Sequence, residues 1–355
     1  MEFRRIIKMT EMKPITIRIL LIMTAALCLI LFLQGCNPFT RSDNEEEDKV
    51  SPTLLTVAYQ EESLLHLPLY AAIKQDFFAQ KNLKVELQKT KNSQEAVEGL
   101  CNGPHDLVLS TPEIGFYSYQ QGEQEKLVFI GQLASKSGCF LLSRKSENPF
   151  TWSEVKGKVV IGTLSGESSQ IALENILRKE HLRPFIDVHL VNNLPLSLRS
   201  GIFRSGTGQF ILSDEPTATI LENEELGLVV ASLDDHLRVN IPTVFIATKS
   251  KFKENSAFYQ NFVTALQLGL AWVEEKSPEE IATVAKDFFP EQEEKILLRG
   301  ICRYKNMGCW PENTLLTEKE LQQFQQILLD AQELNTPLPL YELITSVPID
   351  ESGED

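Results

Sequence analysis

Leu54-Leu55-Thr56-Val57-Ala58-Tyr59, then Leu67-Pro68-Leu69-Tyr70-Ala71-Ala72-Ile73, then Lys84-Val85-Glu86-Leu87 is the stretch that decides the fold. The first piece is a short apolar run without helical period, which predicts a strand over Leu54–Tyr59. In the second, Pro68 stands where a helix can begin without losing a backbone bond. Leu69, Tyr70, Ile73 and Phe77 then fall on one helical face. Lys84–Leu87 is again a strand. Strand, helix and strand in close succession is the unit from which parallel sheets are built.

Outward from there the alternation continues. Ser93–Leu100 reads as a helix, Leu107–Leu109 as a strand, Pro112–Gln120 as a helix and Leu127–Gln132 as a strand. After Phe140–Ser143 it starts afresh. The strands are then Lys158–Ile161, Val188–Val191, Phe210–Leu212 and Leu228–Ala231, with helices over Ser168–Glu180, Leu196–Arg204 and Glu215–Asn223. Two such blocks predict an α/β chain of two lobes with largely parallel sheets. From Asn255 to Glu333 nearly everything is helical, with Phe258, Phe262, Leu266, Leu270 and Val273 at helical spacing. No internal repeat points to a solenoid.

The 355 residues are 43% hydrophobic and 23% charged, a globular composition that excludes collagenous, wholly disordered and polytopic membrane classes. Net charge is −15, from 34 Lys and Arg against 49 Asp and Glu. Beyond residue 35 the balance is −18, and so acidic a body repels phosphate backbones; no nucleic-acid partner is expected. Basic residues from Arg4 to Arg18 precede the mostly apolar Ile19–Leu33 and then Gln34-Gly35-Cys36. That apolar run has the length of a signal-peptide core and is short for a membrane span. Gly35-Cys36 resembles the bacterial lipobox, so residues 1–35 are expected to be a signal and Cys36 the lipidated N-terminus. Residues 36–52, with the run Glu45-Glu46-Glu47-Asp48, read as a solvated tether, and 346–355 as an acidic tail. Cys101, Cys139, Cys302 and Cys309 lack zinc-ribbon spacing; Cys302 and Cys309 are too far apart along a helix to bridge and could pair only if the segment between them bends, and four buried free thiols are the favoured expectation.

Further segments carry a family resemblance. Leu67-Pro68-Leu69-Tyr70-Ala71-Ala72 with Asp76-Phe77-Phe78, Asn82-Leu83-Lys84-Val85-Glu86, His105-Asp106-Leu107-Val108 and Thr111-Pro112-Glu113 come in order. Ser213-Asp214-Glu215-Pro216-Thr217-Ala218, Val229-Val230-Ala231-Ser232 and Pro339-Leu340-Tyr341 follow. Together they resemble the bacterial solute-binding proteins of the sulfonate, nitrate and thiamine-precursor group, over about residues 54–345. Gln209 and Leu233-Asp234 depart from that group's pattern. The resemblance implies the periplasmic-binding-protein type 2 fold: two α/β lobes, a hinge and a ligand cleft. Lobe 1 would be 53–142 plus 248–345 and lobe 2 would be 143–247, with crossings near Phe140–Ser143 and Thr243–Ala247.

In such sheets ligands sit at the carboxyl ends of parallel strands. That rule selects Gln60, Ser110, Thr111, Glu113, Ser165, Gly166, Glu167, Ser168 and the segment Asp214–Thr217, including Glu215. Tyr59 and Tyr70 are candidates to stack on a flat ligand, although Tyr70 also fits its helix's apolar face. The loop Ser165–Ser169 could hold a polar ligand atom on free N–H groups or serve as a plain helix cap. These loops offer Glu113, Glu167, Asp214 and Glu215 without Arg or Lys, which favours an aminopyrimidine-like ligand over a sulfonate or nitrate.

Enzyme signatures are poor. Gly162-Thr163-Leu164-Ser165-Gly166 misses a nucleophile elbow by one position, and Gly206-Thr207-Gly208 lacks the third glycine of a dinucleotide loop. The five histidines are scattered, so neither a metal nor a cofactor is expected. The reading is a monomeric, non-enzymatic, extracytoplasmic lipoprotein that passes a small molecule to an ABC permease. The alternative is an accessory lipoprotein that senses a ligand for a membrane signalling partner.

Overall fold

The computed structural model describes residues 51–145, 149–237 and 239–345. The expected signal, Cys36, nearly all of the tether and the acidic tail lie outside the described residues. The alternation condenses into two five-stranded sheets. The first has the order β2 (Leu83–Lys89), β1 (Thr53–Tyr59), β3 (Leu107–Ser110), β10 (Thr243–Thr248), β4 (Leu127–Ala134). The second runs β7 (His189–Val191), β6 (Val159–Ile161), β8 (Phe210–Ser213), β5 (Phe140–Ser143), β9 (Leu228–Ser232). β4 and β10 are buried at every position, as expected of near-continuous apolar runs covered on both faces.

The sheets are mixed, not largely parallel. β1 pairs parallel with β2 and β3, but β10 runs antiparallel to β3 and β4. β6 pairs parallel with β7 and β8, while β5 runs antiparallel to β8 and β9. The cause is the crossing itself, since the odd strand in each sheet is the first one laid down after the chain arrives from the other sheet. The boundaries expected at 142/143 and 247/248 therefore cut through β5 and β10. The chain passes between sheets over residues 135–139 and returns between the end of β9 at Ser232 and the start of β10 at Thr243.

Around the first sheet lie α1 (Leu67–Lys74), α2 (Phe77–Gln80), α3 (Ser93–Asn102) and α4 (Glu113–Gln121). The second carries α5 (Ser168–Lys179), α6 (Leu196–Arg204) and α7 (Thr217–Asn223), and α8 (Leu233–Leu237) sits on the return passage. After β10 come α9 (Lys249–Glu254), α10 (Ser256–Glu275), α11 (Pro278–Phe288), α12 (Glu294–Met307) and α13 (Glu318–Asp330). Ser277 with Glu280 and Thr317 with Glu320 form capping boxes that start α11 and α13. Phe262 of α10 packs between Phe78 and Phe245, at 5.2 and 4.9 Å between ring centres. α10 crosses α1 so closely that a Cβ at Gly269 would meet the Pro68 carbonyl oxygen at 2.2 Å. The late helices do not serve one sheet alone, since α12 packs on α7 and α13 on α5. Among the described residues no helix is long and apolar enough to cross a membrane.

Candidate ligand-binding cleft

The carboxyl ends of β1, β3, β6 and β8 converge on a cavity of about 200 Å³. Gln60, Ser110, Thr111, Glu113, Glu167 and Ser168 line it, joined by Glu61, Ser63, His66, Ser93, Ser137 and Asp214. A second, adjoining chamber of about 630 Å³ adds Ser165, Gly166, Tyr117 and Arg199. Eight of the eleven positions expected from sequence are thus brought together.

Local structure explains the placement. Thr111 Oγ1 donates to Glu113 Oε1 at 2.6 Å, which turns the acid inward at the start of α4. Ser168, buried at the start of α5, donates to Glu113 Oε2 at 2.5 Å from the other sheet. Tyr117 donates to the Gly166 carbonyl at 3.0 Å, a second bond between the two sides. Gly162 has no room for a side chain, because a Cβ there would lie 2.1 Å from Gln170 Oε1. That oxygen accepts the Thr163 N–H at 3.1 Å, and Glu167 Oε2 accepts the Leu164 N–H at 3.0 Å, so the loop 163–167 is pinned at both ends. Ser63 caps the turn Leu64–His66 and donates to Asp214 Oδ2 at 3.4 Å.

Burial sets the electrostatics. It pushes Glu61 up to about 7, helped by the nearby Asp214 charge, and Asp214 up to about 6 against the opposing pull of Arg199. Glu113 is also raised by burial, which outweighs its hydrogen bonds from Ser168 and Thr111. Burial lowers His66 to about 4, leaving it neutral near pH 7. The cleft therefore presents Glu61, Glu113 and Asp214 at a place where anionic carboxylates are held unwillingly, with Glu167 beside them. Such a site gains from a ligand that donates hydrogen bonds or carries positive charge.

Three expected positions lie elsewhere. Glu215 is fully buried away from these cavities, with Arg303 Nη1 bonded to its Oε1 and the Thr219 N–H donating to its Oε2 at 3.1 Å. A buried carboxylate needs such partners, and they use both oxygens. Tyr70 stacks on Phe288 with ring centres 3.9 Å apart. Tyr59 donates its hydroxyl to Glu62 at 3.0 Å. Tyr117, not Tyr59 or Tyr70, is the tyrosine that lines these chambers among the described residues. The charge inventory also needs correction, because Arg199, buried on α6, lines the second chamber. Among the described residues no group of three or more His, Cys, Asp or Glu is placed to hold a metal. The four later cysteines are free, with Cys139 and Cys309 buried and Cys101 and Cys302 only partly so.

The NMT1/THI5-like family model matches residues 64–281, from the turn before α1 into α11. The chain belongs to the NMT1/THI5-like family. This NMT1/THI5-like chain is 29% identical over 292 residues to the candidate binding protein YtlA of Bacillus subtilis (strain 168), covering 82% of its own length and 87% of YtlA. Among solved structures it is similar to the periplasmic aliphatic sulphonate binding protein SsuA of Escherichia coli. There the TM-score is 0.68 at 16% identity, over 86% of this chain and 96% of SsuA. The desulfurization enzyme DszB is also similar, with a TM-score of 0.57 at 14% identity over 81% of this chain and 95% of DszB. These likenesses establish the periplasmic-binding-protein fold. Because binding proteins and an enzyme share that fold, the chemistry must be argued from the cleft.

Proposed function

We propose that this chain is an extracytoplasmic solute-binding lipoprotein, anchored through Cys36, that captures a small molecule between its two sheets and delivers it to an ABC permease without chemical turnover. The observation that carries the reading is the cavity lined from both sides, with Glu61 and Glu113 on one and Glu167 and Asp214 on the other. A ligand touching both sides favours the closed arrangement by its differential affinity, and the closed arrangement is what a permease would read. The passages at 135–139 and between Ser232 and Thr243 are the hinge in this account. Family membership and the likeness to YtlA and SsuA support binding as the activity.

The carboxylates favour a monomeric receptor for a neutral or cationic nitrogen-rich ligand of the aminopyrimidine class over a sulfonate or nitrate. Calorimetric titration with 4-aminopyrimidine, methanesulfonate and nitrate tests the assignment. Saturable binding of the pyrimidine alone is expected. Tight binding of either anion with none of the pyrimidine overturns the ligand class, and turnover of any of the three overturns the receptor reading.

A further inference from the structure

Behind Glu167 and Asp214 the cleft continues into a chamber of about 160 Å³, lined by Ser137, Cys139, Thr163, Ser169, Arg199, Leu212 and Ser213 as well as those two acids. Two of its lining atoms are buried polar groups without a partner among the described residues, Arg199 Nε and Thr163 Oγ1. Arg199 is 5% exposed, and among the described residues its side chain makes one hydrogen bond, a long 3.5 Å contact from Nη1 to the Gly162 carbonyl. Among the described ion pairs no carboxylate lies within 4.0 Å of it. A buried guanidinium with an open donor is costly, and native proteins keep such groups where something binds them.

We propose that this chamber is a subsite for a carboxylate group of the ligand, held by the Arg199 guanidinium and the Thr163 hydroxyl. The inference rests on the reading of the cleft as the ligand site and narrows its ligand to an amine-bearing carboxylate. The nitrogen end lies in the adjoining cavity against Glu61 and Glu113, which shares Ser137, Glu167, Ser169 and Asp214 with the chamber. The planar guanidinium fork matches a carboxylate. A dianion such as phosphate is disfavoured, because Glu167 and Asp214 line the same space and would repel the second charge. The volume exceeds the roughly 30 Å³ of a water molecule enough for a carboxylate and its hydration. Cys139 takes no part as an anion, since burial pushes its thiol up to about 12.

The test compares 4-aminopyrimidine with 4-aminopyrimidine-5-carboxylate by calorimetry on the wild type, Arg199→Gln and Arg199→Lys. The wild type is expected to prefer the carboxylate by about tenfold or more, the scale of one charge-assisted hydrogen bond. Arg199→Gln should abolish that preference and Arg199→Lys retain part of it. Where the pyrimidines bind, no preference in the wild type, or an undiminished one in Arg199→Gln, overturns the subsite. Formate provides a measurement independent of the ring. Its titration should shift the Arg199 Nε–Hε resonance of the wild type saturably, and an unmoved resonance overturns the subsite whatever the pyrimidines do. If neither pyrimidine binds while formate shifts Arg199, the aminopyrimidine assignment fails and the subsite stands.

Discussion

Ser168 Oγ donates to Glu113 Oε2 at 2.5 Å, joining the first turn of α5 to the first turn of α4 and so one sheet's loops to the other's. Replacing the hydroxyl removes one of the two side-chain donors that hold this buried acid, the other being Thr111. Ser168→Ala should cost the ligand-saturated chain about 1.5 kcal/mol, the scale of a bond to a charged group, in urea unfolding. The same change should loosen the two sides and weaken binding of the cleft ligand. An unchanged unfolding midpoint would show that the contact is not part of the folded chain's energetics.

Glu215 acts on stability and not on ligand. Its carboxylate is fully buried against Arg303, which also bonds Glu222 Oε2 at 2.7 Å, and Arg299 meets the same Glu222 oxygen at 2.8 Å. Glu215→Ala removes one of the two carboxylates on Arg303, leaving Glu222 to hold it, and should cost about 2 kcal/mol, less than the loss of a sole partner. Glu215→Gln, which keeps the shape, should lose less. Ligand affinity of the folded fraction should match the wild type in both, and a selective loss of affinity would return Glu215 to the site.

The cleft acids predict a pH dependence whose sign follows from their raised values. Glu61 rises from 4.5 to about 7 and Asp214 from 3.8 to about 6 on folding, so the folded chain holds more protons than the unfolded one across that window. Stability of the ligand-free protein from these groups is therefore fully present at the acid end and lost as pH rises from about 4 to about 7. Affinity for a ligand whose amine stays protonated should move the opposite way, strengthening as both acids ionise. Thermal unfolding and calorimetry at matched ionic strength across this range check both slopes. Parallel slopes would contradict the assignment of the acids to the ligand.

The anchor is tested apart from the cleft. Cys36→Ala should block acylation and leave an uncleaved precursor on gels. Stable attachment needs more than one acyl chain, so metabolic labelling of the wild type should place fatty acid on Cys36. Absence of label there would end the lipoprotein reading without touching the binding site.

The alternation of strands and helices was legible because each apolar run is short and each helix carries a one-sided face. Which sheet β5 and β10 join was not, since pairing between distant segments decides it and both strands read alike in isolation. Asp214 and Glu215 look equivalent in Ser213-Asp214-Glu215-Pro216, yet only Asp214 reaches the cavity. Glu215 turns to Arg303, a partner 88 residues away that local pattern cannot supply. Tyr70 followed its apolar face into the stack with Phe288. Arg199 lies beyond the reach of a rule confined to strand-end loops, because it sits in the first turn of α6, the helix that follows β7. Extending the strand-end rule by about one helical turn reaches it, along with Tyr117.

The central claim is that one small ligand touches both sheets' loops and holds them together. Small-angle scattering of the soluble chain with and without saturating 4-aminopyrimidine, binding having been established by calorimetry, tests it most directly. A smaller radius of gyration is expected in the bound state, with a bound profile that matches the arrangement in which Ser168 meets Glu113. Binding with no change in the profile, or with expansion, would contradict it.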